Sequence, residues 1–125
     1  MLAFRYPWLW VGLGWLLVAA VCAGSLIPGT TLRSVAVSDK LLHAGSYFVL
    51  MVWFAGLYRR SFHGLIALVL FALGATLDLL QGMTATRSFD PRDIAANASG
   101  VLTGLVLSAW LLEGWVQRLE RRLLA

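Results

Sequence analysis

Three groups of polar residues recur at helical spacing in an otherwise apolar chain, and together they offer carboxylates, an imidazole, amides and cations. Asp39, His43 and Tyr47 stand at i, i+4 and i+8, which stacks them along one helix face. Asp78 and Gln81 at i, i+3, and Asp93 and Asn97 at i, i+4, share faces in the same way. Lys40, Arg87, Asp90 and Arg92 flank them. In a binding site, Lys40, Arg87 and Arg92 would hold phosphate or carboxylate, Arg through a bidentate fork, while Asp39, Asp78 and Asp93 orient these bases or accept hydroxyls. In an enzyme, His43 and Asp78 would be the catalytic pair, because histidine titrates near neutrality and a neighbouring carboxylate fixes its tautomer. No Ser, Cys or Thr has an evident activating partner. Asp39, His43 and Asp78 form an open, unselective ligand set, so no metal or other cofactor is expected. A third reading needs no ligand: a salt-bridge and amide network that locks helices, with Asn97 bonding across them for about 0.6 to 2 kcal/mol.

The elements that must carry these residues follow from composition. Of 125 residues 60% are apolar and 13% charged, against roughly 25% charged in soluble domains, so the excess apolar surface requires lipid as its solvent. Four apolar runs, 8–27, 41–58, 65–81 and 94–116, predict a single-domain, all-α bundle of four transmembrane helices. The first run holds twenty residues without a charge, matching the ~20 needed to cross the hydrocarbon core. Its rival reading is a cleaved leader, since Arg5 precedes it and Val21-Cys22-Ala23 is a weak cleavage pattern. The second and third runs are near the lower limit for spanning, so Asp39, Lys40, Asp78 and Gln81 must lie near the interface or face protein. Pro28-Gly29 closes the first helix, Ser38 caps the second, and Asp90-Pro91 opens the fourth.

The ten Lys and Arg set the topology, because they sit between apolar runs rather than on a polar domain that would bind nucleic acid. With both termini cytoplasmic, Arg5, Arg59, Arg60, Arg118, Arg121 and Arg122 lie inside, and Arg33, Lys40, Arg87 and Arg92 lie outside. All three polar groups then reach the outer leaflet. Gly100 and Gly104 make a small-xxx-small face on the fourth helix that lets a neighbour approach, within the chain or in a homo-oligomer. Trp8, Trp10, Trp15, Trp110 and Trp115 read as interfacial anchors, and His63 as a solvated loop residue. Residues 118–122 read as an amphipathic extension on the inner surface. The single cysteine, Cys22, has no partner for an intrachain disulfide.

The order Asp39-Lys40-Leu41-Leu42-His43, Tyr47, Asp78-Leu79-Leu80-Gln81, then Arg87 through Asn97 with Gly100 and Gly104, resembles the VanZ-like membrane proteins over about residues 25–107. The pattern departs at Asp78, where the family usually has Glu. The resemblance implies a multi-pass protein of the bacterial inner membrane and cell envelope, named for an association with resistance to the glycopeptide teicoplanin. It implies membrane lipids and a lipid-linked cell-wall precursor or glycopeptide as partners. The expected ligand-binding residues are Asp39, Lys40, His43, Tyr47, Asp78, Gln81, Arg87, Arg92, Asp93 and Asn97.

Overall fold

The computed structural model describes residues 1–26, 39–83 and 91–124, apart from the side chains of Leu26, Asp39 and Lys40. These residues form five α-helices and no strand: α1 Pro7–Leu26, α2 Asp39–Leu57, α3 His63–Gly82, α4 Pro91–Trp110 and α5 Trp115–Leu123. A short 3-10 turn, Arg60–Phe62, leads into α3. Prolines open α1 and α4, where their preset φ suits the first helical position and the missing N–H costs nothing. Asp93 follows in the first turn of α4, beside the positive end of the helix dipole. The expected closing of the first helix at Pro28-Gly29 and the capping by Ser38 and Asp90 lie outside the described residues.

Pro7–Ser25 and Arg60–Gly82 are long and apolar enough to cross a membrane, and α4 with α5 makes a third such segment if the bent pair is one span. The apolar stretch of α2, Leu41–Leu57, is shorter. Its place in the bundle explains the difference. α2 packs against each of the other four helices, most extensively α4, and Leu50, Met51 and Leu57 are fully buried. A helix held by protein along one face needs less lipid-soluble surface, and on α2 that surface is Leu41, Leu42 and Val49. In contrast, Leu65, Leu68 and Val69 of α3 and Leu102 and Val106 of α4 are exposed, an outward apolar surface suited to hydrocarbon.

Glycines set the α2–α4 contact. A Cβ at Gly100 would overlap the Ala44 carbonyl oxygen, and one at Gly104 would come within 2.8 Å of Met51 Cβ. The glycine face offered above to a second copy is therefore filled by α2 of the same chain.

The fourth apolar run does not form one helix over 94–116. α4 ends at Trp110, and α5 sets off at 68° to it after Gly114, whose φ of 67° is readily adopted only by glycine. Glu113-Gly114 breaks the run, and the fully buried Val116 packs with Trp10 and Leu57 beneath the bundle.

This end of the molecule also corrects three expectations. Trp8, Trp15 and Trp110 are exposed, as anchors should be, but Trp10 is buried and Trp115 partly so. Trp53 joins them, its ring centroid 6.1 Å from that of Trp10 and 5.7 Å from that of Trp115. Their indoles are spent on internal acceptors: Trp53 Nε1 donates to the Trp10 carbonyl at 3.1 Å and Trp115 Nε1 to the Val52 carbonyl at 3.0 Å. His63 is buried at 3% exposure, not solvated. Its Nε2 donates to the Ala55 carbonyl at 2.9 Å, satisfying a carbonyl near the end of α2 that has no intrahelical donor. Within the amphipathic tail, Glu120 faces inward instead of solvent.

Glu120 caps α1 from the opposite end of the sequence. Its carboxylate accepts the Arg5 N–H at 2.7 Å, the Tyr6 N–H at 3.1 Å and the Trp10 indole N–H at 2.5 Å. Burial opposes ionisation, but the hydrogen bonds from Arg5, Trp10 and Tyr6, together with the Arg5 charge, outweigh it and hold the carboxyl below its ordinary range. The negative charge also meets the positive end of the α1 dipole.

Candidate functional site

At the other end of the bundle, the start of α2, the end of α3 and the start of α4 meet. His43 and Tyr47 follow each other by one helical turn on the buried face of α2, above Leu50 and Met51. Asp78 and Gln81 face inward from α3, and Asp93 and Asn97 from α4. The three spacings read from the sequence thus converge on one cluster. The side chains of Asp39 and Lys40, and all of Arg87 and Asp90, lie outside the described residues. Arg92 is exposed on the first turn of α4.

Asn97 is the centre of the cluster and only 1% exposed. Its Nδ2 donates to Asp78 Oδ2 at 2.9 Å, which leaves Oδ1 as an acceptor facing His43 Nδ1 at 3.1 Å. A carboxylate can only accept, so the direction of both bonds is fixed: His43 Nδ1–H donates to Asn97, and Asn97 donates to Asp78. In the neutral imidazole the proton is then on Nδ1, and His43 is held in one tautomer through the amide. Asp78 Oδ1 is also 3.8 Å from His43 Nδ1, close enough to stabilise the imidazolium. One ligand atom from each of His43, Asp78 and Asp93 lies within 4.8 Å of the others. That spacing suits a cation, although one imidazole with two carboxylates selects no particular metal. Asp93 joins this grouping among the described residues, while the side chain of Asp39, named with His43 and Asp78 in the sequence reading, lies outside them.

Two supporting positions escaped the sequence reading. Gly74 stands one turn before Asp78, and a Cβ there would sit 3.0 Å from Asn97 Nδ2 and 3.2 Å from Tyr47 Cζ. It makes room for the amide. Ser25 offers its carbonyl to Gln81 Nε2 at 2.5 Å, which ties the end of α1 to the end of α3. The signal for Gly74 was present as an i−4 neighbour of Asp78 on the same face. The Ser25 contact joins positions far apart in sequence and left none.

A cavity of about 390 Å³ opens between α1 and α2 and reaches this cluster. Leu17, Val21, Leu42 and Val49 supply apolar walls, while Ser25, His43, Ser46 and Tyr47 supply polar groups. α1 and α2 touch closely toward the other end, where a Cβ at Gly14 would meet Phe54 Cζ at 2.9 Å. Beside Gly24 and Gly45 nothing lies within 4 Å of such a position.

Comparison with protein-family models, curated proteins and solved structures returned no match. The chemistry of the site therefore rests on its geometry. A buried Asp78–Asn97–His43 chain, joined by Asp93 and fronted by an amphipathic cleft, can orient a polar group, share a proton with it, or hold a cation against it.

Proposed function

We propose that this chain is a VanZ-like, multi-pass protein of the bacterial cell-envelope membrane that binds a lipid-linked ligand. The hydrocarbon tail of the ligand lies in the α1–α2 cleft, and its polar head group meets His43, Asp78, Asp93 and Asn97. The observation that carries this reading is the continuity of the cleft with the buried cluster: His43 and Tyr47 belong to both. Ionisable groups at membrane depth cost about 2.5 to 3.5 kcal/mol on insertion scales, and a polar ligand gives that cost a function.

In this reading α1 to α4 are the four spans, α5 lies along the inner surface and both termini are cytoplasmic. α2 is 19 residues long, about 28 Å at 1.5 Å per residue, close to the ~30 Å hydrocarbon core. The basic residues favour this orientation, six inside against four outside. The link to glycopeptide resistance comes with the resemblance alone.

A second reading is a proton-transfer enzyme on the same class of substrate, favoured by the Asp78–Asn97–His43 chain that fixes the imidazole tautomer. Native mass spectrometry of the purified protein tests the binding reading. Wild type is expected to carry a lipid-linked species that Asp78→Asn and His43→Gln retain at least about tenfold less, the loss of one charge-assisted hydrogen bond. Equal lipid content in all three, with both variants less stable, would leave a structural network as the role of the cluster.

A further inference from the structure

The opposite end of the bundle holds a second polar cavity, independent of the His43 site. It measures about 310 Å³ and is lined by Arg59, Arg60, Arg118 and Arg121, with Leu2 and Tyr58 as its apolar side and Glu113 as its acidic residue. Two of these arginines follow α2 and two stand at i, i+3 on α5, so segments nearly sixty residues apart are brought to one place. The bend at Gly114 does this by turning α5 back beneath the bundle.

The charge balance of the cavity is one-sided. Four guanidinium groups against the Glu113 carboxylate leave +3, because 4 − 1 = 3. The acid of α5 itself, Glu120, is turned away and occupied by Arg5, Tyr6 and Trp10. Arg118 is held in place by a hydrogen bond from Nη1 to the Glu113 carbonyl at 2.5 Å, which leaves its other N–H groups available. Among the described residues, Arg59, Arg60 and Arg121 take no ion pair.

We propose that this arginine cavity binds a phosphate-bearing anion, either the head group of an anionic phospholipid or free phosphate. Guanidinium forks match phosphate oxygens bidentately, and basic pockets at the ends of membrane helices favour phosphate head groups. The cavity is about ten times the roughly 30 Å³ share of one water molecule, so it admits a phosphate with part of its hydration shell. The site works in the same way whichever face of the membrane it occupies.

Native mass spectrometry of the detergent-solubilised full chain, titrated with phosphatidylglycerol and with phosphatidylcholine as neutral reference, tests the proposal. Wild type is expected to prefer phosphatidylglycerol, and the pair Arg59→Gln with Arg121→Gln to lose about thirtyfold in that preference. Arg122→Gln, outside the cavity on the same helix, is expected to keep it. Titration with inorganic phosphate separates the sources. Displacement of the lipid at millimolar phosphate, absent in the double variant, identifies free phosphate; no displacement identifies the lipid head group. If the glutamine pair lowers the melting temperature, the pair Arg59→Lys with Arg121→Lys keeps the charge and is expected to bind between the two. Equal loss in Arg122→Gln and the cavity pair, or no binding of either probe by wild type, overturns the proposal.

Discussion

Asn97 is the residue through which the site either holds or fails. It is the link between His43 and Asp78, so Asn97→Leu removes one buried hydrogen bond from each and is expected to lower stability in detergent by about 1 to 3 kcal/mol, read by thermal unfolding. Ser108 is the opposite case. Its Oγ is buried without a hydrogen-bond partner among the described residues, so Ser108→Ala is expected to be neutral or to stabilise by up to about 1 kcal/mol in the same assay. Glu120 predicts a pH dependence. Its folded pKa lies below the ordinary 4.5, so its contribution to stability is complete above that value and is lost as pH falls through the folded one. Comparing thermal midpoints of wild type and Glu120→Gln from pH 7 to pH 3 should give a difference that is largest at neutral pH and narrows in acid. The His43, Asp78 and Asn97 convergence was legible in the sequence because helical spacing fixes which residues share a face. His63 and Glu120 were not, since their partners are set by tertiary contact: Glu120 bonds residues 110 to 115 positions away.

Helices α2 and α4 bring the site together, and their approach depends on a missing side chain. Gly100→Ala would force a Cβ against the Ala44 carbonyl, and backbone cannot swing aside as a side chain tip can. The expected loss is about 1 to 3 kcal/mol, whereas Gly45→Ala on α2 meets nothing within 4 Å and should stabilise slightly through helix propensity. Unfolding of the two variants side by side checks the helix pairing directly. The apolar runs located α1, α2, α3 and the start of α4 to within two or three residues. They misplaced the end of α4, because Leu111, Leu112, Trp115 and Val116 continue the hydrophobic pattern across a break that only Glu113-Gly114 announces. Apolar composition does not distinguish a residue bathed in lipid from one packed under the bundle, as Val116 is.

The whole molecule is a bundle with two chemically different ends: an acid, amide and imidazole cluster beside a cleft, and an arginine cavity roofed by α5. In the four-span reading these ends face opposite sides of the membrane. With Cys22→Ser as background, Arg33→Cys is expected to react with a membrane-impermeant thiol reagent added outside, and Arg60→Cys only after permeabilisation; the reverse pattern would invert the orientation. The central claim, that the α1–α2 cleft holds a lipid-linked ligand, is tested most directly by photocrosslinking in native membranes. A photoreactive amino acid replaces Val49, at the mouth of the cleft, or Leu102, exposed on the outer face of α4. Position 49 should capture a lipid with a distinct polar head group, lost on adding Asp78→Asn, while position 102 captures bulk phospholipid; the same lipids at both positions would contradict the account.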